Sequence, residues 1–198
     1  MRIVLSYFMS LDGVVQAPGG PDEDREGGFE HGGWSMPFFD PEVMGAAIGE
    51  AAATTDALLF GRRTYDGMAA AWPERAGDPF ADHMNSIDKY VLSRSYSQAD
   101  LTWNNSTLLP ADSPLAAIRA LKAQEGRDIS VFGSPSVARQ LIEADLVDEY
   151  RLFIEPITLG GGKRLFPDDT QVRTLDLVST AVASTGVIVA TYRPAAAP

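Results

Sequence analysis

Three short segments share one chemical character. Gly61-Arg62-Arg63-Thr64 follows the apolar run Leu58–Phe60, Ser93-Arg94 follows Tyr90–Leu92, and Gly133-Ser134-Pro135-Ser136-Val137 follows Ile129–Phe132. Glycine lets a ligand approach the main chain closely. A helix start presents unpaired N–H groups and a partial positive charge, which suit phosphate. Together the three segments can hold a dinucleotide, with a phosphate at each helix start and a ribose phosphate near Ser93 and Arg94. Singly, each has a plainer reading. Ser-Pro before a helix is a common cap, Gly61 can be a turn glycine, and arginine at a strand end is commonly solvated. None is the Gly-x-Gly-x-x-Gly fingerprint. Their repetition at three strand ends favours the ligand. Within the first segment, Arg62 and Thr64 are expected to face a phosphate, and Arg63 to point away as solvated charge.

Such local cations matter because the chain is acidic. Its 198 residues carry 16 Lys and Arg against 27 Asp and Glu, a net charge of −11. Nucleic acid and anionic membrane surfaces are therefore not expected partners. With no cysteine and two histidines, disulfides, thiolate chemistry and Cys- or His-rich metal sites are excluded. Met1–Gly13 reads as a first strand rather than a leader, because its short apolar run meets Asp12 and lacks a small-residue cleavage site. No stretch approaches the roughly 20 apolar residues of a membrane span. The expected location is the cytoplasm.

The elements that must position these segments follow from periodicity and punctuation. Arg2–Met9 is nearly all apolar or β-branched, as a strand covered on both faces is. Asp12–Phe39 is a long glycine-rich, acidic stretch without a period, and loops of that length are commonly functional or disordered. Asp40 as N-cap and Pro41 at the first position predict a helix burying Val43, Met44, Ala47, Ile48 and Ala51. A short strand at 57–61, a helix from Thr64 and a strand at 88–94 follow. A helix opens at Ser113-Pro114 and stops at Gly126. Then come a strand at 128–133, a helix from Ser134-Pro135, and a strand at 148–157. The final segment alternates on either side of Ser184-Thr185-Gly186, which predicts an antiparallel hairpin. Residues 194–198 are expected to fray. The whole is expected to be one α/β domain over 1–198, a mostly parallel central sheet with helices on both faces and an antiparallel C-terminal hairpin. Ligands on such sheets bind beyond the carboxyl ends of the strands.

Phe60–Met68 resembles the cofactor-binding segment of dihydrofolate reductases, in which Gly-Arg-x-Thr joins a strand to a helix. Val131–Phe166, with Met9-Ser10-Leu11-Asp12-Gly13, is similar to the C-terminal reductase domain of riboflavin-biosynthesis deaminase–reductases, and Gly32-Gly33-Trp34 and Asp78–Ser93 point to its stand-alone members. The resemblance spans Arg2 to Arg193. It implies a dihydrofolate-reductase-like fold, NADPH as hydride donor, a small heterocyclic substrate and a homodimer. By position it assigns Gly61, Arg62 and Thr64 to the cofactor phosphates, Ser93 and Arg94 to the adenosine end, and Gly133, Ser134, Pro135, Ser136 and Val137 to the pyrophosphate. It places Asp12 and Gly13 near the nicotinamide and substrate, and Gly160 to Gly162 at the pocket rim or in a subunit contact. Phe132 stands where the riboflavin reductases carry an acid, and Ser134 replaces their second glycine, so the substrate stays open among pterin-, pyrimidine- and riboflavin-precursor-like compounds.

Hydride transfer to C=N or C=O also needs a proton donor. The carboxylates near strand ends are Asp12, Asp40 and Glu155. Their plainer readings are an Asp-Gly turn, an N-cap and a salt bridge. Trp34 can stack on a flat heterocycle or pin its loop. Lys163 and Arg164 can help bind an anion or lie on the surface. The Asp12–Phe39 loop resembles a lid. The alternative to an enzyme is a non-catalytic nucleotide- or flavin-binding module on the same fold.

Overall fold

The run from Arg2 becomes the sheet's inner strand, β1 (Arg2–Ser10), with Ile3, Val4 and Leu5 fully buried. The computed structural model describes residues 1–196. After β1 come α1 (Val43–Thr54), β2 (Thr55–Gly61), α2 (Arg62–Ala71), α3 (Pro79–Ser86), β3 (Asp88–Leu92) and β4 (Ser106–Leu108). The chain continues through α4 (Pro114–Lys122), β5 (Asp128–Val131), α5 (Pro135–Glu143), β6 (Glu149–Glu155), β7 (Leu175–Val182) and β8 (Ile188–Pro194). They build one eight-stranded sheet in the order β4-β3-β2-β5-β1-β6-β8-β7. Pairs from β4 to β6 are parallel, and β8 runs antiparallel to both β6 and β7.

Alternation along the strands divides the core into two sides. Leu5, Tyr7, Leu59 and Val131 pack with Ile118 of α4 and Leu141 and Ile142 of α5. On the other side Leu58 and Phe60 meet Tyr65 of α2 and Met84 of α3, while Phe153 meets Met44 of α1. The predicted apolar face of α1 is thus the one it buries. The helix itself begins at Val43, two residues after Pro41. Asp40 still caps it, with Oδ1 accepting from the N–H groups of Glu42 at 3.0 Å and Val43 at 2.9 Å.

Two expectations need correction, and two elements were not expected. α4 ends at Lys122, well before Gly126. Strand β4 and helix α3 carry too little periodicity to be read from sequence. Pro194 closes β8 and Ala195 N–H donates to Thr174 O at 2.9 Å, so the expected fraying does not begin there; residues 197 and 198 lie outside the described residues. The end of the sheet away from the site is fixed by ions. Asp128 and Glu149, both buried, bind Arg2, Arg151 and Arg193. Among the described residues no helix is long and apolar enough to cross a membrane.

Candidate functional site

The sheet order sorts the site. Along the carboxyl edge β3, β2, β5, β1 and β6 stand side by side. Their ends present Ser93-Arg94, Gly61–Thr64, Gly133–Val137, Asp12-Gly13 and Glu155 in a row. At about 4.8 Å per strand the row spans roughly 19 Å, enough for an extended dinucleotide. A cleft of about 690 Å³ runs along it, lined by Gly61, Arg62, Thr64, Ser93, Arg94 and the whole of Gly133–Val137. Every residue assigned to the cofactor from sequence therefore borders one cavity.

The phosphate-binding character is built by chain segments about 70 residues apart. Gly61 N–H donates to Ser134 Oγ at 2.9 Å, Ser134 Oγ donates to Thr64 Oγ1 at 2.8 Å, and Thr64 Oγ1 donates to Gly133 O at 2.8 Å. Ser134 thus ties the start of α2 to the start of α5 instead of capping its own helix. No side-chain hydrogen bond caps α2, α4 or α5, and Arg62, Pro114 and Pro135, their first residues, all line the cleft. Gly133 is required by geometry. Its φ is +70°, and a Cβ there would lie 2.8 Å from Thr64 Cγ2.

Arg94 makes no ion pair with a described residue. Ser93 Oγ accepts from the N–H groups of Ser95 and Tyr96, which folds the turn that carries Arg94. Arg62 stands over the Tyr96 ring at 5.6 Å and reaches Asp66 at only 3.4 Å. Arg63 departs from expectation. It lines the cleft and pairs with Glu26 from the long loop. Lys163 binds Asp24 and Glu26, each at 2.5 Å. Arg63 and Lys163 together hold the Glu26 carboxyl down at about 2. The acidic stretch is therefore latched across the cleft.

Gln16, buried, organises that latch. Its side-chain amide donates to Asp24 O and Glu26 O, and its Oε1 accepts from Lys163 N–H at 3.0 Å. Its main-chain oxygen accepts Trp34 Nε1–H at 2.7 Å. Trp34 is buried with Val14, Ala17 and Phe29 and lines neither cavity, so it pins the loop rather than presenting a stacking face. A second cavity of about 420 Å³ lies beside the first and shares Gln16, Glu26 and Lys163 with it. Gly161 lines it; Gly13 and Gly160 line neither cavity.

The three carboxylates differ in employment. Asp12 accepts from Ser10 Oγ at 2.6 Å and from the N–H groups of Leu159 and Gly160, which hold it at about 2. Asp40, besides capping α1, accepts from Ser184 Oγ at 2.6 Å and Ser184 N at 3.0 Å and is likewise held at about 2. Both are ionised at neutral pH and bind loops to the sheet edge, which corrects the expectation that either donates a proton. Glu155 is the opposite. It is fully buried at the end of β6, opposite Ser10 in the β1 register. Ser35 Oγ donates to its Oε1, and Oε2 has no partner among the described residues. Burial pushes this carboxyl up to about 7. It lines neither cavity and is sealed under the loop.

Sequence reasoning missed Gln16, Ser35, Arg63 and the acids Glu23, Asp24 and Glu26 as site residues. The acidic run was visible, but nothing in it marks which cations it meets. Lys163 was named without its partners.

The RibD C-terminal domain model matches residues 1–189. The chain is 30% identical over 196 residues to the uncharacterized protein YyaP of Bacillus subtilis (strain 168), covering 96% of this chain and 94% of that one. Among solved structures it resembles a putative riboflavin biosynthesis protein from Shewanella sp. PV-4, with 20% identity, TM-score 0.69, and 99% and 100% of the two chains covered. It also resembles the dihydrofolate reductase of Enterococcus faecalis complexed with NADP(H), with 15% identity, TM-score 0.59, and 98% and 97% covered. The fold is dihydrofolate-reductase-like.

Proposed function

Because the chain belongs to the RibD C-terminal domain family, we propose that it is an oxidoreductase that binds NADPH along the cleft and reduces a small heterocycle. The substrate would be pterin-, pyrimidine- or riboflavin-precursor-like. One observation carries the reading: three helix starts without side-chain caps converge on a single cleft whose volume suits a cofactor. The E. faecalis dihydrofolate reductase, of like fold, was solved with NADP(H).

When bound, the cofactor supplies the hydride. The residues of the chain do the rest. Main-chain N–H groups of α2 and α5, with Gly61, Arg62, Thr64 and Gly133 to Val137, hold the phosphates. Ser93 and Arg94 hold the adenosine end, where Arg94 favours a ribose phosphate and so NADPH over NADH. Val15 and Ala17 give the other end of the cleft an apolar wall. Of the three candidate acids only Glu155 can hold a proton near neutral pH, but it is sealed from the cleft and is not placed to hand that proton to a ligand there. The latched loop excludes water.

Arg62→Ala and Arg94→Ala should each weaken NADPH binding about tenfold or more by calorimetry, as loss of a charge-assisted hydrogen bond does. Arg94→Ala should leave NADH binding nearly unchanged. Equal NADPH affinity in both variants and the parent would overturn the phosphate assignment. Stopped-flow oxidation of bound NADPH with pterins, aminopyrimidines and flavins tests the chemistry. A cofactor that binds but is never oxidised favours the non-catalytic nucleotide- or flavin-binding module.

We also propose a homodimer through β7. This strand forms one edge of the sheet, with Leu177, Val178 and Val182 exposed by 55%, 47% and 67%. An uncovered apolar edge strand is a template for pairing with another chain. Light scattering should report twice the chain mass, and Leu177→Lys with Val182→Lys should halve it. A monomeric parent at micromolar concentration would exclude this arrangement.

A further inference from the structure

Arg62 is a cation at the wrong end of a helix. It opens α2, where the partial charge is positive. The carboxylate beside it, Asp66, lies four residues later, in the weaker orientation for a helical ion pair. The contact is correspondingly loose. Arg62 reaches Asp66 Oδ2 at 3.4 Å, whereas Arg2 meets Asp128 at 2.8 Å and Arg127 meets Asp56 at 2.6 Å. Tyr96 accounts for the difference. Its hydroxyl donates to Asp66 Oδ1 at 2.7 Å, across 30 residues of chain. Asp66 in turn raises the phenol above its ordinary pKa, so it remains a donor at neutral pH. The Tyr96 ring also lies 5.6 Å from the Arg62 guanidinium. That ring is fixed. It packs half-buried against the cluster of Phe60, Tyr65 and Trp103, and Tyr96 N–H donates to Ser93 Oγ at 3.1 Å. Arg62 lines the cleft, while Asp66 and Tyr96 line neither cavity.

Resting on the reading of Arg62 as a phosphate ligand, we propose that Tyr96 is a positioning residue of the cofactor site, holding Asp66 back so that the Arg62 guanidinium stays available to the cleft. Asp66 is then an internal competitor of the cofactor's phosphates. While the phenol occupies Oδ1, only Oδ2 faces the guanidinium, and at a long distance. Without the hydroxyl both oxygens are open to Arg62, and a charge-assisted pair at about 2.8 Å would draw it from a phosphate. Tyr96 also belongs to the turn that carries Arg94, so one side chain stands behind both cation-bearing segments.

The sign of the effects separates competition from packing. Tyr96→Phe keeps the ring beside Arg62 and the main chain of the turn. It should weaken NADPH binding about threefold by calorimetry, and Asp66→Asn should tighten it by about the same factor, the size of a partly exposed ion pair. NADH should follow NADPH in both variants, because the turn carrying Arg94 is not moved. Adding Tyr96→Phe to Asp66→Asn should change nothing further, since no carboxylate is left to hold back. A merely structural role would instead weaken binding in every variant. Asp66→Ser serves if the asparagine variant does not fold. Affinity unmoved by Tyr96→Phe, or a loss that persists in the double variant, would overturn this inference, and a weakened Arg62→Ala would still leave the phosphate reading intact. An Arg62→Ala affinity equal to the parent's would remove that reading, and this inference with it.

Discussion

Glu155→Gln is expected to make the folded protein more stable at pH 8. The sign follows from burial. In the folded state the carboxyl is pushed from an ordinary 4.5 up to about 7. A raised acid stabilises the fold fully only below its unfolded value. Its contribution is lost as pH rises from about 4.5 through 7, because the unfolded chain releases the proton first. By pH 8 the loss is roughly 3 kcal/mol. Glutamine keeps the shape, can still accept from Ser35, and carries no charge to desolvate. The melting temperature of the variant should exceed that of the parent at pH 8 and match it near pH 4. A variant less stable than the parent at pH 8 would show that the carboxyl is not raised by burial.

Gly133→Val is expected to abolish measurable NADPH binding, a loss of at least a hundredfold, or about 2.7 kcal/mol. Two effects combine at this position. Its φ of +70° is costly for a β-branched residue, and the added Cβ meets Thr64 Cγ2 at 2.8 Å. Pushing Thr64 away breaks its bond to Gly133 O and its acceptance from Ser134, so the helix starts separate. The variant should keep the parent's far-ultraviolet circular dichroism, since the clash sits at the rim of the sheet. Titration calorimetry with NADPH decides the matter: affinity within a few-fold of the parent would mean that the phosphates lie elsewhere.

Much of this was legible because it is encoded locally. The strand-to-helix segments at Gly61, Leu92 and Gly133 announce themselves through an apolar run, a glycine or hydroxyl, and a helix start within a few residues. Asp40 caps its helix as its position suggests, and Gly186 turns the final hairpin with a φ of +87°. What escaped were pairings. Arg63 looked like spare charge because Glu26 lies 37 residues away. Asp40 looked free for chemistry because Ser184 lies 144 residues away. Trp34 looked available for stacking because nothing near it names Gln16 as its acceptor.

The sequence by itself determined the chemical types: an acidic, cysteine-free chain with local cations, helix starts just after apolar strands, and three carboxylates near strand ends. Only the tertiary structure decided their order and employment. In the chain the segments run 12, 61, 93, 133, 155. The insertion of β5 between β2 and β1 rearranges them into the row 93, 61, 133, 12, 155. Short-range preferences fix φ, caps and strand runs, whereas strand order and side-chain partners are settled by contacts between residues far apart in sequence. The same contacts gave Asp12 and Asp40 their structural partners and left Glu155, buried with one oxygen unpartnered among the described residues, as the acid able to hold a proton near neutral pH.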